Sequence, residues 1–181
     1  MSTGQSVLTV IALMLVSVMI LNFQRTANNI TSELDNSRFR LEAASILTSH
    51  VEKLSQYYFD ECSNDTLTDK ALSDFTLPSN LGFETNDSLV ADDIDDFHNI
   101  TLSDTGLSGV VYRTKFQVDY ITLNSTTKKL DKSSSSRTYH KRFALTVTDA
   151  NPVPLITRYQ NGVLVRDTLR AQTVISYWFY N

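Results

Sequence analysis

The sequence predicts an α+β protein in which a long N-terminal helix, apolar in its first half and amphipathic in its second, packs on a C-terminal antiparallel β-sheet. Three observations carry that expectation. No proline occurs before Pro78 and no glycine lies between Gly4 and Gly82, so nothing obliges an early helix to stop. Residues 7–23 contain only Thr9, Ser17 and Asn22 as polar side chains, whereas apolar residues between 39 and 58 recur at helical spacing. From residue 110 onward the apolar period shortens to two, the signature of strands with one wet face.

The first element, residues 5–24, is apolar on all sides. At ~1.5 Å per residue its apolar run covers about 25 Å, enough to cross a bilayer core with flanking help. A cleaved secretory signal fits poorly, because the start is uncharged and "LNFQRTANNI" follows where a small-x-small cut site belongs. A permanent anchor and a working helix of the finished protein both stand. Arg25, Arg38 and Arg40 follow the span and nothing basic precedes it, a bias towards a cytoplasmic C-terminus that the interleaved Glu33, Asp35 and Glu42 dilute. Residues 25–60 read as the amphipathic continuation. Phe39, Ala43, Leu47, Val51, Leu54 and Tyr58 form one stripe, so the helix is expected to reach Phe59 or Asp60. Its weak point is "QRTANNITSELDNS", whose Asn, Ser and Thr side chains compete for local hydrogen bonds and can bend or melt a helix.

Residues 61–109 form a loop-rich connector. "TLPSNLGFETNDS" carries Pro78 and Gly82, and "LVADDIDDFHNITLSD" is acidic. The sheet domain, 110–181, opens with "VVYRTKFQVDYITL". There Tyr112, Thr114, Phe116, Val118 and Tyr120 share one face, and Arg113, Lys115, Gln117 and Asp119 share the other. "NSTTKKLDKSSSSR" is a long hairpin connection or open loop. In "TYHKRFALTVTD" the residues Tyr139, Lys141, Phe143, Leu145 and Val147 lie on one side. A last hairpin turns at Asn161 and Gly162, the pair that suits a type I′ reversal. Four or five strands result, and the striped half of the helix is the one long amphipathic element available to cover them.

The net charge is −4 and the basic residues are unclustered, which leaves no footprint for a nucleic-acid backbone. A lone cysteine, Cys62, excludes an internal disulfide and a cysteine-based metal cluster. Asp92, Asp93, Asp95 and Asp96 are the best candidates for a metal: several carboxylates in a short loop suit Ca²⁺. The glycine and terminal glutamate of an EF-hand loop are missing, and the alternative is a turn or helix start capped by these aspartates. No other cofactor is indicated. His50, His98 and His140 lie far apart, against zinc, and His50 reads as a packed or half-exposed side chain on the helix. No serine sits in G-x-S-x-G, and "GLSG" lacks the phosphate-loop lysine, so no enzyme is expected. N-x-S/T sequons occur at Asn29, Asn64, Asn86, Asn99 and Asn124. The aromatic terminus "ISYWFYN" reads as core or strand-edge packing.

On "GQSVLTVIALMLVSVMIL", on the acidic "ADDIDDFHNI", and on the pair "YRTKFQVDYI" and "YHKRFALTVTD", the chain resembles the type IV pilin-like proteins. Its C-terminal part is similar to minor pilins of the mannose-sensitive haemagglutinin type. The resemblance implies a structural subunit of a pilus-like or pseudopilus filament. Residues 1–4 would be a short leader, cut by a prepilin peptidase between Gly4 and Gln5. Val7, Leu8, Val10, Ile11, Leu13, Leu15, Val16, Val18, Ile20, Leu21 and Phe23 would form the filament-core helix. The implied partners are copies of itself or other pilins, inner-membrane lipid before assembly, and the pilus assembly machinery. The implied location is the cell membrane and then an extracellular or periplasmic filament. Two departures stand out: no basic residue precedes Gly4, and Thr9 occupies the fifth position after the cut, where the family places glutamate. The absence of that glutamate fits a minor or divergent subunit. The rival reading is a single-pass anchored protein with an extracytoplasmic β-rich domain that binds a ligand or partner.

Overall fold

The structure, a computed structural model, describes residues 3–64, 68–83 and 91–178. It has the expected α+β layout: one long helix, α1 (Thr3–Leu54), followed by antiparallel strands. These are β1 (Thr101–Thr105), β2 (Val111–Leu123), β3 (Leu130–Lys132), β4 (His140–Asp149), β5 (Thr157–Gln160), β6 (Val163–Arg166) and β7 (Leu169–Ser176). The chain divides into two compact units, one ending at Phe39 and one starting at Arg40.

The first unit is purely helical. The polar stretch expected to bend or melt it is helical throughout, and its two threonine hydroxyls bond back to the helix. Thr26 donates to the Asn22 carbonyl at 3.0 Å and Thr31 to the Ala27 carbonyl at 3.0 Å. Each side chain thus removes its own competing hydrogen bond by folding back on the preceding turn.

In the second unit the five-stranded sheet has the order β1-β2-β4-β7, with β3 paired to the end of β2, while β5 and β6 form a separate two-stranded ribbon. The alternation read from β2 and β4 holds. Tyr112, Thr114, Phe116, Val118 and Tyr120 are buried, and so are Lys141, Phe143, Leu145 and Val147. The register sets Phe116 opposite Leu145, Val118 opposite Phe143 and Tyr120 opposite Lys141. Ala43, Leu47 and Leu54 are the buried part of the helical stripe. Each large apolar side chain withdrawn from water contributes on the order of 1.5–3 kcal/mol. The Asn161–Gly162 turn has φ of +53° and +79°, as a type I′ reversal requires, and closes the β5–β6 ribbon.

Four expectations are corrected. The helix stops at Leu54, short of Phe59, although no helix breaker follows. Gln56 and Tyr57 tighten the last turn onto Lys53 and Leu54, and Tyr58 is then captured by the connector, its carbonyl accepting from the Ile94 amide at 3.0 Å. Tyr58 is consequently exposed and leaves the buried stripe. "TLSDT" in the acidic connector is strand β1, and part of the polar 124–137 stretch is strand β3. Asp119, assigned to the wet face, is buried because Lys132 of β3 and Arg142 of β4 both pair with it.

Candidate functional site

Three places carry polar or apolar features that folding alone does not require. The first is the apolar helix. Every described side chain from Gly4 to Asp35 is exposed, and the best 18-residue window has a mean hydropathy of 2.4. The helix is long and apolar enough to cross a membrane. Val7, Leu8, Val10, Ile11, Leu13, Leu15, Val16, Val18, Ile20, Leu21 and Phe23 are all at least half exposed. Its few hydroxyls return to the helix backbone: Thr9 Oγ1 donates to the Ser6 carbonyl at 2.8 Å and Ser17 Oγ to the Leu13 carbonyl at 2.8 Å. That arrangement lowers the cost of placing the segment in lipid or among other apolar helices.

The second is a buried ionic cluster centred on Lys141, whose partners no spacing in the sequence locates. Its Nζ lies 2.6 Å from Asp95 Oδ1, 2.9 Å from Asp60 Oδ2 and 2.6 Å from the Phe59 carbonyl oxygen. The three ionic side chains are 0–1% exposed. The ammonium also sits 4.5 Å from the Phe59 ring centroid and 5.2 Å from that of Tyr120. Asp60 is held from several sides. The Thr76 amide donates to its Oδ2 at 3.0 Å, and the Tyr120 hydroxyl lies 3.2 Å from the same oxygen. Burial first, then the neighbouring Asp60 and Asp95 charges, push the Tyr120 hydroxyl far above its ordinary range, so it serves as a donor. A lysine buried this deeply is tolerated because carboxylates and a carbonyl replace its water.

Of the four aspartates singled out as calcium candidates, Asp95 joins this cluster directly and Asp93 is buried next to it. Asp93, Asp95 and Asp96 are buried and Asp92 is exposed. Asp93 Oδ1 accepts from the Asp95 amide at 2.9 Å and the Asp96 amide at 3.2 Å, and Asp96 Oδ2 accepts from the Asp92 amide at 3.0 Å. This is the capped turn of the alternative reading, closing the short 3₁₀ helix Asp95–Phe97. Among the described residues no three His, Cys, Asp or Glu side chains are grouped to hold a metal. Burial, then the Asp95 charge and a hydrogen bond to the Asp95 side chain, push the Asp93 carboxyl up to about 9. So raised, the Asp93 carboxyl keeps its proton at neutral pH.

A raised carboxyl binds more protons folded than unfolded. Its stabilising contribution is full below the ordinary 3.8 and is lost as pH climbs through about 9. The thermal midpoint of the β domain is expected to fall across that window. Asp93→Asn, uncharged throughout, should flatten the fall when near-UV circular dichroism is followed against pH. Equal slopes in both proteins would dispose of the assignment.

The third is a cleft of about 330 Å³ lined by Glu42, Ser45, Ser49, His50, Asp104 and Leu107. His50 Nε2 is 2.9 Å from Asp104 Oδ2, and its ring meets Phe116 edge-on at 5.1 Å, as a packed, half-buried histidine. Glu42 accepts from the Ser108 hydroxyl at 2.6 Å and the Tyr112 hydroxyl at 3.0 Å. Gly106 makes room for this: a Cβ there would stand 2.6 Å from Glu42 Oε2 and 2.7 Å from the Tyr112 ring. Ser45 and Ser49 share the cleft with His50, whose Nε2 is engaged by Asp104.

The other histidines are structural too. His98 Nδ1 accepts from the Val118 amide, and His140 Nδ1 pairs with the Ser176 hydroxyl. Cys62 is half-buried. Burial, then Asp60, pushes its thiol up to about 11, which leaves it a weak nucleophile. Asn29 and Asn99 are exposed, whereas the Asn124 side chain is engaged with Thr126, Thr127 and Asp131. The Asn64 side chain, Asn86 and residues 179–181 of the aromatic terminus lie outside what the structure describes. Within that terminus Tyr177 packs on Phe75 at 5.2 Å and Trp178 is exposed. No family model, curated protein or solved structure matches this chain.

Proposed function

We propose that this chain is a structural subunit of a type IV pilus-like or pseudopilus filament, polymerising through residues 5–24 and displaying the β domain at the surface. One observation carries the reading: a helix apolar on every face, with every side chain left uncovered by its own chain, runs without a break into the helical segment that packs on the sheet. An anchor needs only about 20 residues to cross a bilayer. The 52 residues of α1 exceed that need and suit a rod shared between subunits.

Lipid tails and leucine side chains are about equally apolar, so packing against sister helices exchanges one apolar solvent for another. Transfer from membrane to filament then costs little hydrophobic energy, and an external motor supplies the drive. In this reading Gly4 and Gln5 flank the prepilin peptidase cut, and the chain rests in the cell membrane before export into the filament. The second reading, a permanent single-pass anchor carrying a ligand-binding β domain, is favoured by the same apolar window. Mass spectrometry of the native N-terminus separates the two. A chain beginning at Gln5 is the expected result, and a chain beginning at Met1 or Ser2 in mature cells speaks for the anchor.

A further inference from the structure

We propose that Lys141 and Asp95 condense into an intramolecular isopeptide bond, with the Asp93 carboxyl as the proton-transfer group. The cluster has the parts that such a reaction needs. The amine and the acceptor carboxyl are already in contact at 2.6 Å, and neither side chain is exposed. Aromatic rings of Phe59 and Tyr120 line the lysine. A second carboxyl, Asp93, is buried beside Asp95, its Oδ1 accepting from the Asp95 amide at 2.9 Å, and burial beside the Asp95 charge pushes it up to about 9.

Asp95 is the electrophile and Asp60 is not. Asp60 receives the Thr76 amide at 3.0 Å and lies within hydrogen-bond reach of the Tyr120 hydroxyl and the Cys62 thiol, so its oxygens are already engaged by other groups. Asp95 Oδ2 is buried and meets no hydrogen-bond donor, while its Oδ1 holds the Lys141 ammonium at 2.6 Å.

The step balances within the cluster. The Lys141 ammonium gives a proton to the Asp95 carboxylate, leaving a free amine and a neutral acid. The amine lone pair attacks Asp95 Cγ while Asp93 protonates the carbonyl oxygen. The nitrogen returns a proton to the Asp93 carboxylate. Asp93 then protonates one hydroxyl as the Cγ–O bond breaks, so that oxygen leaves with the electron pair as water, and the other hydroxyl returns its proton to Asp93 as the amide carbonyl forms. Carboxylate plus ammonium become amide plus water, Asp93 ends as it began, and no oxidant, reductant or outside group takes part.

In bulk water the solvated ions win this equilibrium. Here both ions have already lost their solvation, and the amide removes two buried charges at once. Asp60 keeps its amide and hydroxyl neighbours and can accept from the new amide N–H. The bond would tie the acidic connector to strand β4 across 46 positions of sequence, a covalent brace in a chain whose single cysteine cannot form an internal disulfide.

The test uses the full chain purified in detergent. Its intact mass, set against its sequenced N-terminus, is expected to be low by one water, and trypsin should leave a branched peptide joining Lys141 to Asp95. Asp95→Asn should still link, expelling ammonia and reaching the same final mass. Lys141→Arg and Asp93→Asn should each regain the full mass. A wild-type chain at full mass with a linear Lys141 peptide overturns the proposal. So does a water loss that persists in Lys141→Arg. A link that survives Asp93→Asn overturns the role given to Asp93. None of these results bears on filament assembly, so the two proposals fail separately.

Discussion

On the Asp93→Asn background, where Lys141 and Asp95 stay an ion pair, Lys141→Met is expected to destabilise the β domain by about 3–5 kcal/mol, the usual cost of removing one partner from a buried ion pair. The reason lies in what it leaves behind. Asp60 and Asp95 would remain at 1% and 0% exposure without their shared cation, and the Phe59 carbonyl would lose its donor. Domains of this size hold together by roughly 5–15 kcal/mol in total, so a large share of the protein would be unfolded or close to it. Urea denaturation of the detergent-solubilised chain reads the effect directly. Adding Asp60→Asn and Asp95→Asn to Lys141→Met should recover part of the loss, because the stranded charges go with the cation. A midpoint shift worth under about 1 kcal/mol from Lys141→Met alone on that background would mean that the cluster is peripheral to stability.

Leu13→Asp is expected to lower membrane retention, and with it filament incorporation, by about a hundredfold. Aspartate near the centre of a membrane helix costs about 2.5–3.5 kcal/mol, and each 1.4 kcal/mol is a factor of ten. Leu13 is 66% exposed within the apolar run, so the carboxylate would face lipid before assembly and neighbouring helices after it. Leu107→Asp is the matched control: Leu107 is fully exposed on the β1–β2 turn, and the change should be close to neutral. Fractionation of cells into membrane, soluble and surface material measures both. Undiminished membrane recovery of Leu13→Asp would show that the apolar helix is not what holds the chain there.

How far the sequence revealed this molecule depends on whether each signal was local. The faces of β2 and β4 were legible because alternation is a local property, and it placed even Lys141 on the inner side. What Lys141 touches was not legible. Asp60 and Asp95 lie 81 and 46 positions away, and no spacing rule connects them. The acidic run "ADDIDD" had two readings, and only the folded backbone, in which the Asp93 side chain receives two amides, selects the turn. The helix terminus was overestimated for the same reason, since a contact from the connector, not a residue in the helix, ends it. Strand β1 escaped notice because "TLSDT" is almost wholly exposed and shows no apolar alternation, its order coming from pairing with β2.

The most direct measurement is the composition of surface fibres sheared from cells. If the apolar helix exchanges lipid for sister helices, purified fibres will contain this polypeptide, beginning at Gln5 and free of membrane lipid, and Leu13→Asp will remove it from them. Fibres lacking the polypeptide, with the whole of it recovered individually embedded in the membrane fraction, would contradict the account.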